Sequence, residues 1–290
     1  MKPPAHIQDR LRRVGTLPSE QIRLADTALF LATEIEKNKP VTPYIRHLKK
    51  LCLDVTSYIG DEKTSGYDKK EVPTLTLRAE ALRQVLAKRY GYSPAPKTTD
   101  ALEQANLMRL IDSRHGSDCA LAILYVHVAQ SLDWSACAID FPGRILVRLE
   151  TPNKIPGERA IFDPGNTFRP CTPQDLRRLL KDALGEQAEL TPAHYAAMDS
   201  RALLLSLRDE IKSDLLEQDR LFDAADIIDT TLLFAPHEAD LWREAGHLHA
   251  RLDNIAAAVA ALEKFMALSE GDERRYRSSL LLQELRGRLQ

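Results

Sequence analysis

Residues 114–164 read RHGSDCALAILYVHVAQSLDWSACAIDFPGRILVRLETPNKIPGERAIFDP, and this stretch decides the fold. From Asp118 to Asp133 the chain is largely apolar but too short to cross a bilayer, so it predicts a buried helix that Ser117 or Asp118 can cap. Short runs rich in Ile, Val and Phe follow, separated by turns that contain Pro and Gly. These runs are residues 135–141, 144–150 and 159–163. Together they predict a small antiparallel sheet packed on one buried helix.

The segments on both sides of this stretch have helical patterns. Apolar residues recur three and four positions apart, and Pro, Thr and Ser stand at several predicted helix starts. The charged stretch 61–73 lacks this periodicity and is predicted to be a loop. The predicted flanking helices are residues 21–38, 43–59, 76–90, 101–113 and 174–184. The class is therefore α+β and mainly helical.

Only helical pattern follows Thr191-Pro192, and it contains a weak internal repeat. Residues 219–236 align with residues 253–270, so that Ala224 pairs with Ala258 at an offset of 34 residues. This is the length of one tetratricopeptide repeat, in which small residues let paired helices approach closely. An ordinary pair of helical hairpins is the alternative.

Charge and cysteine usage narrow the function class. The chain has 40 Lys and Arg against 42 Asp and Glu, so no basic field argues for nucleic acid. The four cysteines lie far apart, and the amino terminus has no apolar signal segment, which predicts a cytoplasmic protein without a membrane partner. No group of His, Cys or carboxylates has metal-ligand spacing, and neither a metal nor a cofactor is expected.

The core motifs resemble the SirB family of bacterial transglutaminase-like proteins. They are Arg114-x-Gly116-x-x-x-Ala120-Leu121-x-x-Leu124-Tyr125, then Phe141-Pro142-Gly143-x-x-Leu146-Val147-Arg148, then Phe162-Asp163-Pro164. The resemblance implies a helical amino-terminal region in residues 1–98, a transglutaminase-like (papain-like) core in residues 99–188 and a tetratricopeptide-like helical tail in residues 189–290. Enzymes with such a core keep a Cys, a His and an Asp at the helix start, the second strand and the third strand.

The chain departs from this enzyme pattern at two of the three positions. The family commonly has FPGH at the second strand, where this chain has FPGR, so that Arg144 replaces the general base. A guanidinium stays protonated and has no acceptor, so it cannot take a proton from a thiol. The nucleophile would be expected at Asp118, whereas Cys119 lies one residue further, about 100° around a helix. Asp163 keeps the third position, and we expect it to form a salt bridge with Arg144.

Cys119 can be interpreted in two ways. At a helix start and near Arg144 its thiolate would be favoured, and His115 would be the first choice for a base. The preferred interpretation is a small packing residue beneath the sheet, because nucleophilic catalysis also needs a base within reach.

The predicted function is that of a non-enzymatic adaptor that binds a protein or peptide partner through its C-terminal helices. The competing prediction is a hydrolase or acyltransferase that uses Cys119. A third possibility is that Arg144 and Arg148 bind an acidic ligand, because they lie on one side of a strand.

Overall fold

The computed structural model describes residues 1–60, 73–96, 100–151, 158–269 and 273–288. The loop predicted for residues 61–73 lies outside the described residues except for Pro73. The fold is mainly helical with a small antiparallel sheet, and this confirms the predicted α+β class.

The amino-terminal third is helical, as the sequence predicts, but its helices are divided differently. The lead before residue 17, for which no helix was predicted, forms a helix that buries Ile7 and Leu11. The single helix predicted for residues 101–113 is two helices, because the Asn106 side chain accepts hydrogen bonds from the amides of Met108 and Arg109 and caps a new one. The helices are α1 (Ala5–Gly15), α2 (Leu24–Ala32), α3 (Thr42–Gly60), α4 (Leu75–Leu82, continued by a π-helix at Arg83–Arg89), α5 (Ala101–Gln104) and α6 (Leu107–Ser113).

The core consists of helix α7 (Asp118–Ser131) packed on one face of the sheet. Ser117 caps α7 by accepting a hydrogen bond from the amide of Ala120. The three predicted strands are β3 (Ser135–Phe141), β4 (Arg144–Thr151) and β5 (Glu158–Asp163). They pair in sequence order and antiparallel, with Phe141 opposite Arg144 at the turn and Val147 opposite Phe162.

Short strands complete the sheet on both edges. Strand β6 (Arg169–Pro170) adds to β5 and strand β7 (Ala197–Met198) adds to β3, which gives the order β6-β5-β4-β3-β7. Two further short strands, β1 (Ser93–Pro94) and β2 (His115–Gly116), pair separately and in parallel. Helix α8 (Pro173–Leu184) covers the second face of the sheet, where Leu176 and Leu180 are buried against strand residues.

The described part of the tail is built of five helices. They are α9 (Ser200–Glu217), α10 (Leu221–Phe234), α11 (Ala239–Arg251), α12 (Ile255–Leu268) and α13 (Glu273–Arg288). Of these, α10 and α11 recur as α12 and α13 at an offset of 34 residues. The turns before α10 and α12 share a left-handed residue, Asp219 at φ 55° and Asp253 at φ 58°. A Cβ added to Gly246 would lie 2.6 Å from the Leu262 side chain, so α11 and α12 cross where only glycine fits. Helix α1 packs on α10 and joins the two ends of the chain.

Candidate functional site

The start of α7, the start of β4 and the end of β5 meet in one cleft. Arg144, the first residue of β4, donates from Nη1 to Oδ2 of Asp163, the last residue of β5, at 2.7 Å. Asp163 is only 5% exposed, whereas about a third of the Arg144 side chain is open to solvent. The salt bridge predicted between Arg144 and Asp163 is therefore confirmed.

Burial sets the electrostatics of this pair. Desolvation raises the pKa of Asp163, while Arg144 and the backbone amides of Gly165 and Asn166 favour the charged carboxylate and oppose that rise. The guanidinium already donates to the carboxylate and has no lone pair to offer. Arg144 can therefore neutralise Asp163 or bind an anion, but it cannot accept a proton from a nucleophile.

Cys119 does not face this cleft. Its side chain is fully buried, and its Sγ donates to the carbonyl of Leu203 on α9 at 3.5 Å. Burial raises the pKa of the Cys119 thiol well above its ordinary value, which is the opposite of what an activated thiol needs. The burial of Cys119 agrees with the preferred interpretation of a packing residue and not with the alternative of a favoured thiolate, because the rotation of one residue along α7 turns the sulfur into the core.

Asp118 stands in the cleft instead. A Cβ added to Gly165 would lie 2.4 Å from Oδ1 of Asp118 and 3.2 Å from Nη1 of Arg144, so both side chains converge on a position that only glycine leaves open. Burial and the neighbouring Asp163 raise the pKa of Asp118, while Arg144 opposes the rise. The three side chains that meet here are thus Asp118, Arg144 and Asp163. The sequence count from Gly116 already pointed to residue 118.

His115 and Arg148, two other residues considered from the sequence, lie apart from this group. The exposed His115 ring hydrogen-bonds through Nδ1 to the carbonyl of its neighbour Ser113 at 2.7 Å. Arg148 donates to the carbonyl of Tyr195 at 2.6 Å and forms an ion pair with Glu150 at 2.5 Å. Arg148 is thus paired with other groups, and the binding of an acidic ligand by Arg144 and Arg148 together stays a prediction.

The cleft opens into a cavity of about 600 Å³, which is lined by two further carboxyl groups. Glu210 of α9 lines it, together with Asp118, Asp140 and Arg144. Burial, with added repulsion from Asp118 and Asp209, raises the pKa of Glu210 to about 7. Glu210 was not among the site residues predicted from the sequence, although it lies three residues after the buried Leu207 on the same helix.

Among the residues that the structure describes, no three His, Cys, Asp or Glu side chains are grouped closely enough to hold a metal ion. In the same part of the chain, no helix combines the length and the hydropathy that a membrane span requires.

Replacing Glu210 with glutamine is expected to remove a pH-dependent loss of stability. The carboxyl pKa is about 7 in the folded chain against an ordinary 4.5, so the folded state holds the proton more tightly across that window. Stability therefore falls as the pH rises from about 4.5 to about 7. The Glu210→Gln variant lacks this loss of stability. The loss is on the order of 3 kcal/mol, since a shift of one pKa unit corresponds to about 1.36 kcal/mol.

Urea unfolding at about pH 5 and pH 8 checks this expectation. The free energy of unfolding of the variant should be clearly higher than that of the wild type at about pH 8 and only slightly higher at about pH 5. Glu217→Gln, at an exposed carboxylate on the same helix, is the control and should follow the wild type. Equal pH dependence in wild type and Glu210→Gln would contradict the assignment.

Comparison with known proteins places these features in two families. A family model described as the transglutaminase-like superfamily matches residues 42–208, and a tetratricopeptide-repeat model matches residues 211–283, which confirms the repeat predicted from the 34-residue offset. The chain is 24% identical over 218 residues to Protein SirB1 of Salmonella typhimurium, covering 73% of this chain and 79% of SirB1. It is 26% identical over 211 residues to the UPF0162 protein YchA of Escherichia coli, covering 71% of this chain and 76% of YchA.

Proposed function

This chain belongs to the transglutaminase-like superfamily, among the SirB-family proteins that carry tetratricopeptide repeats, and from that membership we propose that it is a non-enzymatic adaptor. The observation that carries the proposal is the composition of the cleft. An aspartate, Asp118, stands at the nucleophile position and an arginine, Arg144, at the base position. Asp118 carries no thiol, and the Arg144 guanidinium cannot accept a proton, so the pair cannot perform the attack of a base-activated thiol.

The burial of Cys119 supports the same proposal against the competing cysteine hydrolase. Its sulfur has no open side toward the cleft, since the residue is fully enclosed and bonded to a backbone carbonyl. His115, the base that this alternative would use, hydrogen-bonds within its own turn. A nucleophile needs both exposure and a base, and these two residues supply neither.

The tail supports a protein partner. Tetratricopeptide repeats generally mediate protein–protein interactions, and the repeat model covers residues 211–283. Two large apolar side chains one turn apart on α13, Tyr276 and Leu280, are 66% and 50% exposed. We place the partner surface on these C-terminal helices, and the division into residues 1–98, 99–188 and 189–290 belongs to the same proposal.

We also propose a cytoplasmic location, because all four cysteines are free. Cys52, Cys119, Cys137 and Cys171 form no disulfide, as is usual for proteins that stay in a reducing compartment.

Alkylation of the four thiols tests the non-enzymatic proposal. With limiting iodoacetamide near neutral pH, we expect Cys119 to be modified most slowly, because the other three are only half-buried. Peptide mass spectrometry of the native protein measures each rate, and the denatured protein, in which all four should react alike, is the control. Preferential labelling of Cys119, or turnover of an amide or ester that Cys119→Ser abolishes, would overturn the proposal.

A further inference from the structure

A groove runs from the cleft toward the helical tail. The cavity of about 600 Å³ at Asp118 adjoins a second cavity of about 490 Å³, and the two share three lining residues. The shared residues are Asp140, Ile145 and Glu210. One wall of the groove is the β3–β4 turn of the core, and the other is α9, the first helix of the tail. The groove therefore connects the transglutaminase-like core with the repeats.

Three acidic side chains of the groove have no ion-pair partner among the described residues. Asp118, Asp140 and Glu210 take part in no ion pair within the described ranges of the chain. Asp140 is exposed, and Glu210 is close enough to Asp118 for the two carboxylates to repel each other. Arg144 is the cation near Asp118, but it is already paired with Asp163, so the three carboxylates that face the open space outnumber the unpaired cations there.

The basic side chains of the same groove are already paired. Each of the three has a carboxylate partner within 3 Å, so none adds free positive charge to the groove. These pairs are Arg144–Asp163 at 2.7 Å, Arg208–Glu34 at 2.5 Å and Lys212–Asp209 at 2.6 Å. The potential in the groove is consequently negative, although the whole chain carries a net charge of only -2.

Apolar side chains line the end of the groove that reaches the tail. Leu205 of α9 and Leu241 of α11 are partly exposed at this end, beside Ile145, Ile227 and Ile228, which are buried. A free amine or a metal ion would not bury this apolar surface. A polypeptide with aliphatic and basic side chains in alternation would satisfy both the apolar residues and the carboxylates.

We infer that this groove binds a segment of a partner protein in which Lys or Arg residues alternate with aliphatic ones. The basic side chains contact Asp118, Asp140 and Glu210, and the aliphatic ones contact the apolar end. The inference rests on the proposed adaptor function, and it specifies the chemical character of the segment that the adaptor binds. Helices α10 and α11, which lie within the repeat region, contribute to the wall formed by α9, and this agrees with the general role of such repeats in binding proteins.

A phage-displayed library of random twelve-residue peptides, selected on the full-length protein, tests the inference. We expect the recovered sequences to be enriched in Lys and Arg together with Leu, Ile or Val. A recovered peptide labelled with fluorescein should bind the Asp140→Asn/Glu210→Gln variant about tenfold more weakly than the wild type. Its affinity for the wild type should also fall as salt is raised.

The matched control is Asp182→Asn/Glu189→Gln, which removes two exposed carboxylates away from the groove and should leave the affinity within about twofold of the wild type. Recovery of no peptide, of acidic or neutral peptides, or of peptides that bind both double variants equally would overturn the inference. Catalytic turnover through Cys119 would instead overturn the adaptor proposal and leave measured peptide binding intact, so the two failures are distinguishable.

Discussion

Replacing Arg208 with methionine is expected to destabilise the fold by about 3–5 kcal/mol near pH 8, because the change leaves a buried carboxylate without its cation. Arg208 lies in α9 and pairs at 2.5 Å with Glu34, which follows α2, and neither side chain reaches solvent. Arg208 also donates from Nε to Thr231 Oγ1 at 3.1 Å and from Nη2 to the carbonyl of Ile227 at 3.2 Å. Through these contacts the pair holds the amino-terminal helices against α9 and α10 of the tail.

The pH dependence and a double variant separate this effect from lost packing. Burial raises the pKa of Glu34 even beside Arg208, so in Arg208→Met the carboxyl is expected to take up a proton and the loss to shrink as the pH falls toward 5. Glu34→Gln/Arg208→Met, which removes the charge, should recover much of the stability at about pH 8. Urea midpoints measure both variants, and equal losses in the single and double variants would contradict the expectation.

The sequence predicted the parts of the fold that depend on local pattern. Strands at residues 135–141 and 144–151 follow runs of β-branched and aromatic residues, and the turn between them follows Pro142-Gly143. The offset of the tail helices followed from Ala224 and Ala258, both fully buried where helices cross. These features are visible in the sequence because the residues that specify them are neighbours, or repeat at a fixed distance.

Features that depend on distant partners were not visible in the sequence. Strand β7 pairs with β3 across about sixty residues of chain, and its two residues carry no pattern of their own. Glu34 would be expected at the surface from its type, and only Arg208 explains its burial. Helix α1 is held by contacts with α10, more than two hundred residues away, rather than by its own propensity.

The candidate site shows the same division between local and distant information. The motif gave Arg144 and Asp163 correctly as a pair, since their spacing from Phe141 and Pro164 fixes their place in the strands. The count from Gly116 favoured Asp118 over Cys119 for the cleft, although a single residue of helix register decides which side chain faces it. The capping of α7 by Ser117 settles that register in the structure and turns Asp118 outward.

If Asp118 and Arg144 occupy the positions of a lost nucleophile and base, Asp118→Cys/Arg144→His should create a reactive thiol. The introduced thiol would lie in the first turn of α7, where the helix dipole favours a thiolate, and the introduced imidazole would be oriented by Asp163. We expect the pKa of the introduced thiol to fall below about 6. At pH 6 its thiolate fraction would then be about 100-fold higher than that of an ordinary thiol of pKa about 8.5. Thiolate absorbance in the ultraviolet, followed against pH, measures the shift directly.

Two controls connect the effect to the proposed geometry. Arg144→His alone should give no reactive thiol, because Cys119 stays buried against Leu203. Asp163→Asn added to the double variant should raise the thiol pKa again, because the imidazole loses the carboxylate that favours its protonated form. If the introduced thiol titrates like free cysteine in a folded double variant, Asp118 does not stand where a nucleophile would. The cleft would then be an ordinary ion-pair site and not a dismantled catalytic one.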